Sequence, residues 1–298
     1  MPSLCVFAPA KINLYLAITG RRADGFHELA SLVAPLAWGD TLWLEPRPGA
    51  LADSLECDHP DVPTDATNLV LKAAAAFRRR GNSQTSFIHF ILKKDVPAGA
   101  GLGGGSSDAA AALRGLNQLA GQPLSAAELH ACAAETGSDV PLFLEGAAVI
   151  MRGRGEIVEV LPAAARDLLR GRKLVIFKPP FGVPTAWAYA RMREHGSERY
   201  IPAAKAEGAL SQWLKHPTWE SLPLENNLEY PVFEKYIALP ALLAELRSRY
   251  NLRCRMSGSG SACFALLELT SPVAAIEQTI REAWGSSAIV RVMHLAGN

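Results

Sequence analysis

From Val96 to Asp108 the chain reads Val-Pro-Ala-Gly-Ala-Gly-Leu-Gly-Gly-Gly-Ser-Ser-Asp, and five of the seven residues from Gly99 to Gly105 are glycine. Phe87 to Leu92 ahead of it has the pattern of a strand, and about Ser106 to Ala120 behind it reads as a helix. Glycines let backbone N–H groups approach an anion without a Cβ in the way. The helix that follows adds unpaired N-terminal donors and the positive end of its dipole. The stretch Pro97, Ala98, Gly99, Ala100, Gly101, Leu102, Gly103, Gly104, Gly105, Ser106 and Ser107 is therefore expected to cradle nucleotide phosphates. A merely flexible turn would need fewer glycines.

Two better-known phosphate loops are satisfied only in part. Gly99, Gly101 and Gly104 spell G-x-G-x-x-G, but the dinucleotide fingerprint should be followed, after its helix, by a strand ending in an acidic residue. Here the helix leads to Ser125-Ala126-Ala127-Glu128, a capping box that announces another helix. The Walker pattern fails because Gly105 and Ser106 stand where Lys and Ser/Thr are required.

The 298 residues, 49% of them hydrophobic, suffice for one large or two medium domains with substantial cores. Thirty Lys and Arg against 29 Asp and Glu leave no overall basic field for nucleic acid or anionic lipid, so any anion site is local. No membrane partner and no protein partner are implied. The N-terminus has no signal-peptide pattern and no apolar run reaches about 18 residues, so a cytoplasmic location is the default expectation. Cys5, Cys57, Cys132, Cys254 and Cys263 are odd in number without a C-x-x-C pair, and read as buried free thiols.

Along the chain, Leu4 to Ala8 and Lys11 to Ile18 read as strands, the second alternating Ile12, Leu14, Leu16 and Ile18 with Lys11, Asn13 and Tyr15. Gly39-Asp40 between Leu29 to Leu36 and Thr41 to Leu44 reads as a hairpin turn. Asn68 to Arg80 is helical, the helix opened by Ser125 closes near Gly137, and Gly146 to Val160 reads as a hairpin. Pro162 to Arg172 looks like a domain junction. Beyond it come a strand at Lys173 to Phe177, a helix at Thr185 to Arg193 and a helix at Leu239 to Tyr250. A strand at Cys263 to Leu267, a helix capped by Ser271 and a strand at Ile289 to His294 close the chain. Ser197 to Asn227, broken by Pro202, Pro217 and Pro223, is the least legible stretch.

Three segments far apart in sequence then fit together: Pro9-Ala10-Lys11-Ile12-Asn13-Leu14, the loop from Pro97 to Ser107, and Ser257-Gly258-Ser259-Gly260-Ser261. In order and spacing they resemble the three motifs of the small-molecule kinase superfamily that includes galactokinase, homoserine kinase and mevalonate kinase. Arg22-Ala23-Asp24-Gly25-Phe26-His27 and Gly137-Ser138-Asp139-Val140-Pro141-Leu142-Phe143 narrow the resemblance to a branch whose acceptor alcohol carries a cytidine diphosphate. That branch serves non-mevalonate isoprenoid precursor synthesis.

The resemblance implies an α+β, two-domain architecture: an N-terminal α/β ATP-binding domain over 1–162, a C-terminal ferredoxin-like domain over 163–298, and an active site in the cleft between them. It also implies ATP and Mg2+, and a small-molecule cytidyl diphosphate substrate. Lys11 matches the lysine beside the catalytic carboxylate, although a lone strand-end lysine is ordinarily just solvated. Asp139 matches the general base, and it could equally cap a short helix at Val140 to Leu144.

Phe26 and Tyr189 match two rings that hold the cytosine, with His27 near the base edge; Tyr189, four residues after Thr185, is read equally well as core. Asn13, Thr185, Gly258, Ser259 and Gly260 fall in the substrate-binding segments, the last three in what could also be a plain Gly/Ser turn. Ser107 is either a helix cap or a hydroxyl ligand for the metal, whose ligands the sequence leaves open. Glu225-Asn226-Asn227-Leu228-Glu229 stands where the family usually reads Asn-Asp-Leu-Glu, so Asn227 replaces a carboxylate.

Overall fold

The computed structural model describes residues 3–81 and 86–297. Contacts divide the chain into two units, neither of them a single stretch. One comprises the chain up to Ala10, Trp38–Ala98 and Gly103–Gly146; the other comprises Lys11–Ala37, Gly99–Leu102 and the chain from Ala147 onward. The long strands β1 (Leu4–Arg21) and β2 (His27–Arg47) are shared, each giving one end to each unit.

In the first unit β4 (Phe87–Lys93) pairs antiparallel with the second half of β2, Thr41 opposite Lys93, and parallel with β3 (Ser54–Cys57). Three helices follow from local signals. The Asn68 side chain accepts the Val70 N–H to open α1 (Leu69–Arg80), and Ser125 and Glu128 form the expected capping box of α3 (Ala126–Thr136). Between them α2 (Gly104–Leu119) begins two residues earlier than expected, with Gly103 as its N-cap. Ala109 to Ala112 are all buried on α2, and such small side chains let it pack closely against both α1 and α3.

In the second unit β1 lies between β2 and β8 (Glu225–Asn226), Leu16 facing Asn226 in parallel register. The first half of β2 pairs with β5 (Val149–Gly153), which forms a hairpin with β6 (Ile157–Val160). A separate antiparallel sheet runs in the order β11-β7-β10-β9, formed by β7 (Lys173–Lys178), β9 (Cys254–Met256), β10 (Cys263–Leu266) and β11 (Ile289–His294). With α5 (Thr185–Glu194), α8 (Ala238–Tyr250) and α9 (Val273–Trp284) between its strands, this is the spatial order 4-1-3-2 of a ferredoxin-like βαββαβ domain. Val175, Phe177, Leu242, Leu246 and Ile280 anchor its core.

Several local expectations change. Leu4 to Ala8 and Lys11 to Ile18 are one strand, because the fixed φ of Pro9 suits extended backbone. Gly39-Asp40 is no hairpin turn: β2 runs straight through it. The Asp40 side chain, free in a turn to bond its own backbone, is instead committed to distant groups described below. The supposed junction holds a helix, α4 (Ala163–Leu169), which buries Ala165 and Leu169. Pro202 and Pro217 bound rather than break α6 (Ala203–Lys215), and α7 (Glu229–Lys235) follows β8. Pro272 rather than Ser271 is the cap of α9; the Ser271 hydroxyl accepts the Glu268 N–H instead. Cys5 is exposed, so only some of the thiols are buried. Among the described residues no helix is long and apolar enough to cross a membrane.

Candidate active site

Alternation along β1 places Lys11 and Asn13 on one face, and both are buried, at 4% and 6% exposure. The Lys11 ammonium donates to Asn13 Oδ1 at 2.6 Å and to the Gly101 carbonyl at 3.0 Å. The Asn13 amide donates in turn to Ser31 Oγ at 2.8 Å, and Ser31 to the Tyr15 carbonyl at 2.6 Å.

Ser257 closes the arrangement. Its hydroxyl donates to Gly101 O at 3.0 Å and accepts the Asn13 N–H at 3.3 Å. Gly99, Gly101 and Gly103 all have φ between 62° and 77°, and a Cβ on Gly101 would collide with the Ser257 carbonyl. The Ala262 N–H donates to the Ala100 carbonyl at 3.0 Å, a second tie to the loop. The strand bearing Lys11, residues 99–102 of the glycine loop and the Ser257 to Ser261 turn are thus joined by hydrogen bonds.

The last of these turns is tied to the start of α5. Ser259 Oγ and Thr185 Oγ1 share a hydrogen bond of 2.8 Å, and Ser261 Oγ donates to the Phe181 carbonyl at 2.6 Å. The same carbonyl, with that of Pro179, receives the Lys178 ammonium. Burial pulls the Lys178 pKa below the usual lysine range.

Further along, the His27 ring lies 5.0 Å from Tyr189 and 6.0 Å from Tyr200, centroid to centroid. Burial, with Arg193 and Arg21 adding to it, lowers the His27 pKa, so the ring is neutral at pH 7. His27 Nε2 is buried with no hydrogen-bond partner among the described residues, an atom left available for a ligand. Tyr189 packs partly on the domain core, as its core reading expects, and partly on His27. Phe26 is 49% exposed, and the Arg154 guanidinium covers one face of its ring at 5.0 Å.

In the other unit α2 opens from Gly103, so Ser107 is not its cap. Ser107 Oγ is buried without a partner among the described residues. That orphan fits a single hydroxyl ligand to a metal carried by nucleotide phosphates, and the described residues hold no group of three or more His, Cys, Asp or Glu able to grip an ion alone. Asp139, half-buried, follows α3 by way of Gly137, whose N–H donates to the Ala133 carbonyl at 3.0 Å. It is not a helix cap either, since Val140 holds that position for the 3-10 turn Pro141–Leu144. Arg114 on α2 ties this turn down by donating to the Phe143 carbonyl at 2.5 Å.

Sequence reading missed a buried ionic cluster behind the loop. Lys94 pairs with Asp40 and, at 2.8 Å, with Asp108 near the start of α2. The other Asp40 oxygen accepts the Asp95 and Val96 N–H groups at 2.6 and 2.8 Å, where the chain enters the loop. A Cβ on Gly104 would come within 3.2 Å of Lys94 Nζ, so one glycine of the loop makes room for this cluster. Burial works against the Lys94 charge, but Asp108 and Asp40 outweigh it and raise its pKa. Burial pushes Asp108 up to about 7 against the pull of Lys94. Ser31 and Arg154 were missed too; each is one polar residue in an unremarkable local context.

These features place the chain among the small-molecule kinases: residues 68–147 match the GHMP kinases N terminal domain, and residues 214–286 match the GHMP kinases C terminal domain. A 4-diphosphocytidyl-2-C-methyl-D-erythritol kinase of Synechococcus elongatus is 40% identical over 95% of this chain and 92% of its own length. One from Methylacidiphilum infernorum is also 40% identical, over 89% and 87%. A crystal structure of 4-(cytidine 5'-diphospho)-2C-methyl-D-erythritol kinase superposes with a TM-score of 0.75 at 34% identity, covering 98% of this chain and 99% of that one. The chain belongs to the 4-diphosphocytidyl-2-C-methyl-D-erythritol kinase family.

Proposed function

We propose that the protein transfers the γ-phosphoryl group of ATP to the C2 hydroxyl of 4-diphosphocytidyl-2-C-methyl-D-erythritol, giving the 2-phosphate and ADP, a step of non-mevalonate isoprenoid precursor synthesis. The observation that carries this reading beyond family membership is the Lys11 ammonium, buried and fixed against Asn13 and the Gly101 carbonyl of the glycine loop. A cation held there can offset charge on a transferring phosphoryl group.

Phosphoryl transfer passes through a loose transition state, so positioning and charge neutralisation dominate. Residues 97–107 bind the ATP phosphates through backbone N–H groups and the N-terminal end of α2. Asp139 accepts the proton of the C2 hydroxyl as its oxygen bonds to the γ-phosphorus and the bond to the ADP oxygen breaks. Lys11 offsets charge on the attacking oxygen and the transferring group. Ser107, with its unpartnered hydroxyl, would help hold a Mg2+ ion carried by ATP, which would supply neutralisation of phosphate charge.

At the acceptor end Phe26 and Tyr189 flank the cytosine and His27 offers its unpartnered Nε2 to the base edge. Asn13, Thr185 and the Gly258-Ser259-Gly260 turn lie along the rest of the substrate. A division at 162–163 into an ATP-binding and a ferredoxin-like domain accords with the two family matches, which fall on either side of it.

The test is ADP release with a panel of alcohols, read with product identification by phosphorus NMR. The cytidyl diphosphate alcohol is expected to be turned over far faster than homoserine, mevalonate or galactose. Equal or faster turnover of one of those would overturn the assignment.

A further inference from the structure

Asn226 ends β8, beside Leu16 of β1, and is 1% exposed. Its amide nitrogen donates to the carbonyls of Met256 and Gly258, each at 2.8 Å, and its oxygen accepts the Leu228 N–H at 3.0 Å. Glu229 completes the grip by accepting the Met256 N–H at 2.9 Å. The residue between the two gripped carbonyls is Ser257.

Ser257 is the hinge of the lysine site. Its hydroxyl contacts Gly101 O and the Asn13 N–H, and the Lys11 ammonium rests on Gly101 O and Asn13 Oδ1. Hydrogen bonds and the short backbone between them therefore connect Asn226, through the Ser257 turn, to the Gly101 carbonyl and to the backbone of Asn13, the residue whose side chain is the other of these Lys11 acceptors. Every donor along this path is buried or nearly so, and shifting any one of them strands a polar group, which makes the path stiff.

The neighbouring residue provides an internal control. Asn227 is equally buried and also makes three hydrogen bonds, to the Ile18 N–H and carbonyl at 2.8 and 2.9 Å and to the Arg199 carbonyl at 3.0 Å. None of them involves Ser257, Asn13 or Gly101.

We infer that Asn226, with Glu229, is a positioning residue for phosphoryl transfer, acting through the Ser257 turn on the Lys11 ammonium. It sets the rate of transfer rather than affinity for either substrate. The inference deepens the functional reading above and rests on the role given there to Lys11.

The experiment compares Asn226→Ala, Ser257→Ala and Asn227→Ala by single-turnover rate, substrate Kd, Tm and the Lys11 side-chain nitrogen resonance. Asn226→Ala is expected to slow transfer by about 10- to 100-fold, as for displaced catalytic groups, with both Kd values within about threefold. Its Lys11 resonance should move. Ser257→Ala should act in the same direction, and the double variant should be little worse than the worse single one.

Asn227→Ala should lower Tm yet leave the rate and the Lys11 resonance near wild type. An unchanged rate in Asn226→Ala, or an equal rate loss in Asn227→Ala, overturns the inference. Should Asn226→Ala fail to fold, Ser257→Ala, which deletes one oxygen, decides alone: an unchanged rate and resonance overturn it. If the wild type does not phosphorylate the cytidyl alcohol, the functional reading falls. The resonance then still decides: a shift in Asn226→Ala and Ser257→Ala with none in Asn227→Ala supports positioning, and no shift overturns it.

Discussion

The Lys11 ammonium and Asn13 Oδ1 are 2.6 Å apart, a contact between side chains two residues apart on one face of β1. Strand alternation alone brings such a pair together, so a short stretch of sequence orients the cation before any distant group contributes. Asn13→Ala deletes that acceptor while leaving the backbone N–H that meets Ser257. Transfer is expected to slow by roughly 10-fold or more, with ATP Kd little changed, because orientation rather than binding is lost. A rate equal to wild type in a single-turnover assay would show that the Lys11–Asn13 contact does not matter to the reaction.

Tyr189 offers a test of the acceptor end. Replacing it with Ala should weaken the cytidyl substrate by on the order of 1 to 3 kcal/mol, the scale of base stacking on an aromatic side chain. Tyr189→Phe keeps the ring and should lose far less. Calorimetry with ATP provides the control, since nucleotide affinity should stay the same in both variants. Undiminished cytidyl substrate affinity in Tyr189→Ala would leave the residue with its core role only.

Asp108 makes stability depend on pH in an unusual direction for a carboxylate. Folded, it titrates at about 7, whereas an unfolded aspartate titrates near its usual ~3.9. Between those values the folded state holds the proton and the unfolded state has released it. The contribution of Asp108 to stability is therefore greatest at low pH, declines as pH rises from about 4 to about 7, and is flat above that. Asp108→Asn should remove this slope, which urea titrations of both proteins at pH 5 and pH 8 would reveal. A wild-type-minus-variant difference that does not change with pH would contradict it.

Asn227 stands where the resemblance implies an aspartate, and its own contacts suit an amide. Its amide donates to the Ile18 and Arg199 carbonyls, which a carboxylate would face with acceptors only. Asn227→Asp is expected to destabilise the fold by about 1 to 3 kcal/mol, the penalty of leaving buried polar groups unsatisfied, while substrate Kd values hold. Equilibrium unfolding giving equal stability would refute this account of the residue.

How far the sequence could be read depended on how local each signal was. The capping box at Ser125, the glycine loop at 99–105 and the strand from Lys11 to Ile18 are set by neighbouring residues and are all found in the structure, although both faces of that strand are buried rather than one. Asp40, Lys94 and Asp108 carry no such signal: each alone reads as a solvated charge, and only folding brings them into one buried cluster. The same three residues explain why Gly39-Asp40 failed as a turn, because the Asp40 carboxylate is consumed by Lys94, Asp95 and Val96. The contacts of Asn226, quoted only as part of its motif, could not be read, since its partners Met256 and Gly258 lie about thirty residues away in the chain.

The most direct measurement is the single-turnover rate of phosphoryl transfer in Asp139→Asn and Lys11→Met, alone and combined. Asp139→Asn retains size and much of the hydrogen bonding but not the proton acceptor or its charge, so folding and ATP binding should survive. General-base contributions set an expected loss of roughly 10²- to 10⁴-fold. Lys11→Met should depress the rate more than it weakens ATP, and the double variant should be little worse than the worse single one if the two act together. Transfer at nearly the wild-type rate in Asp139→Asn would contradict the assignment of the base, and fully additive losses would contradict a coupled pair.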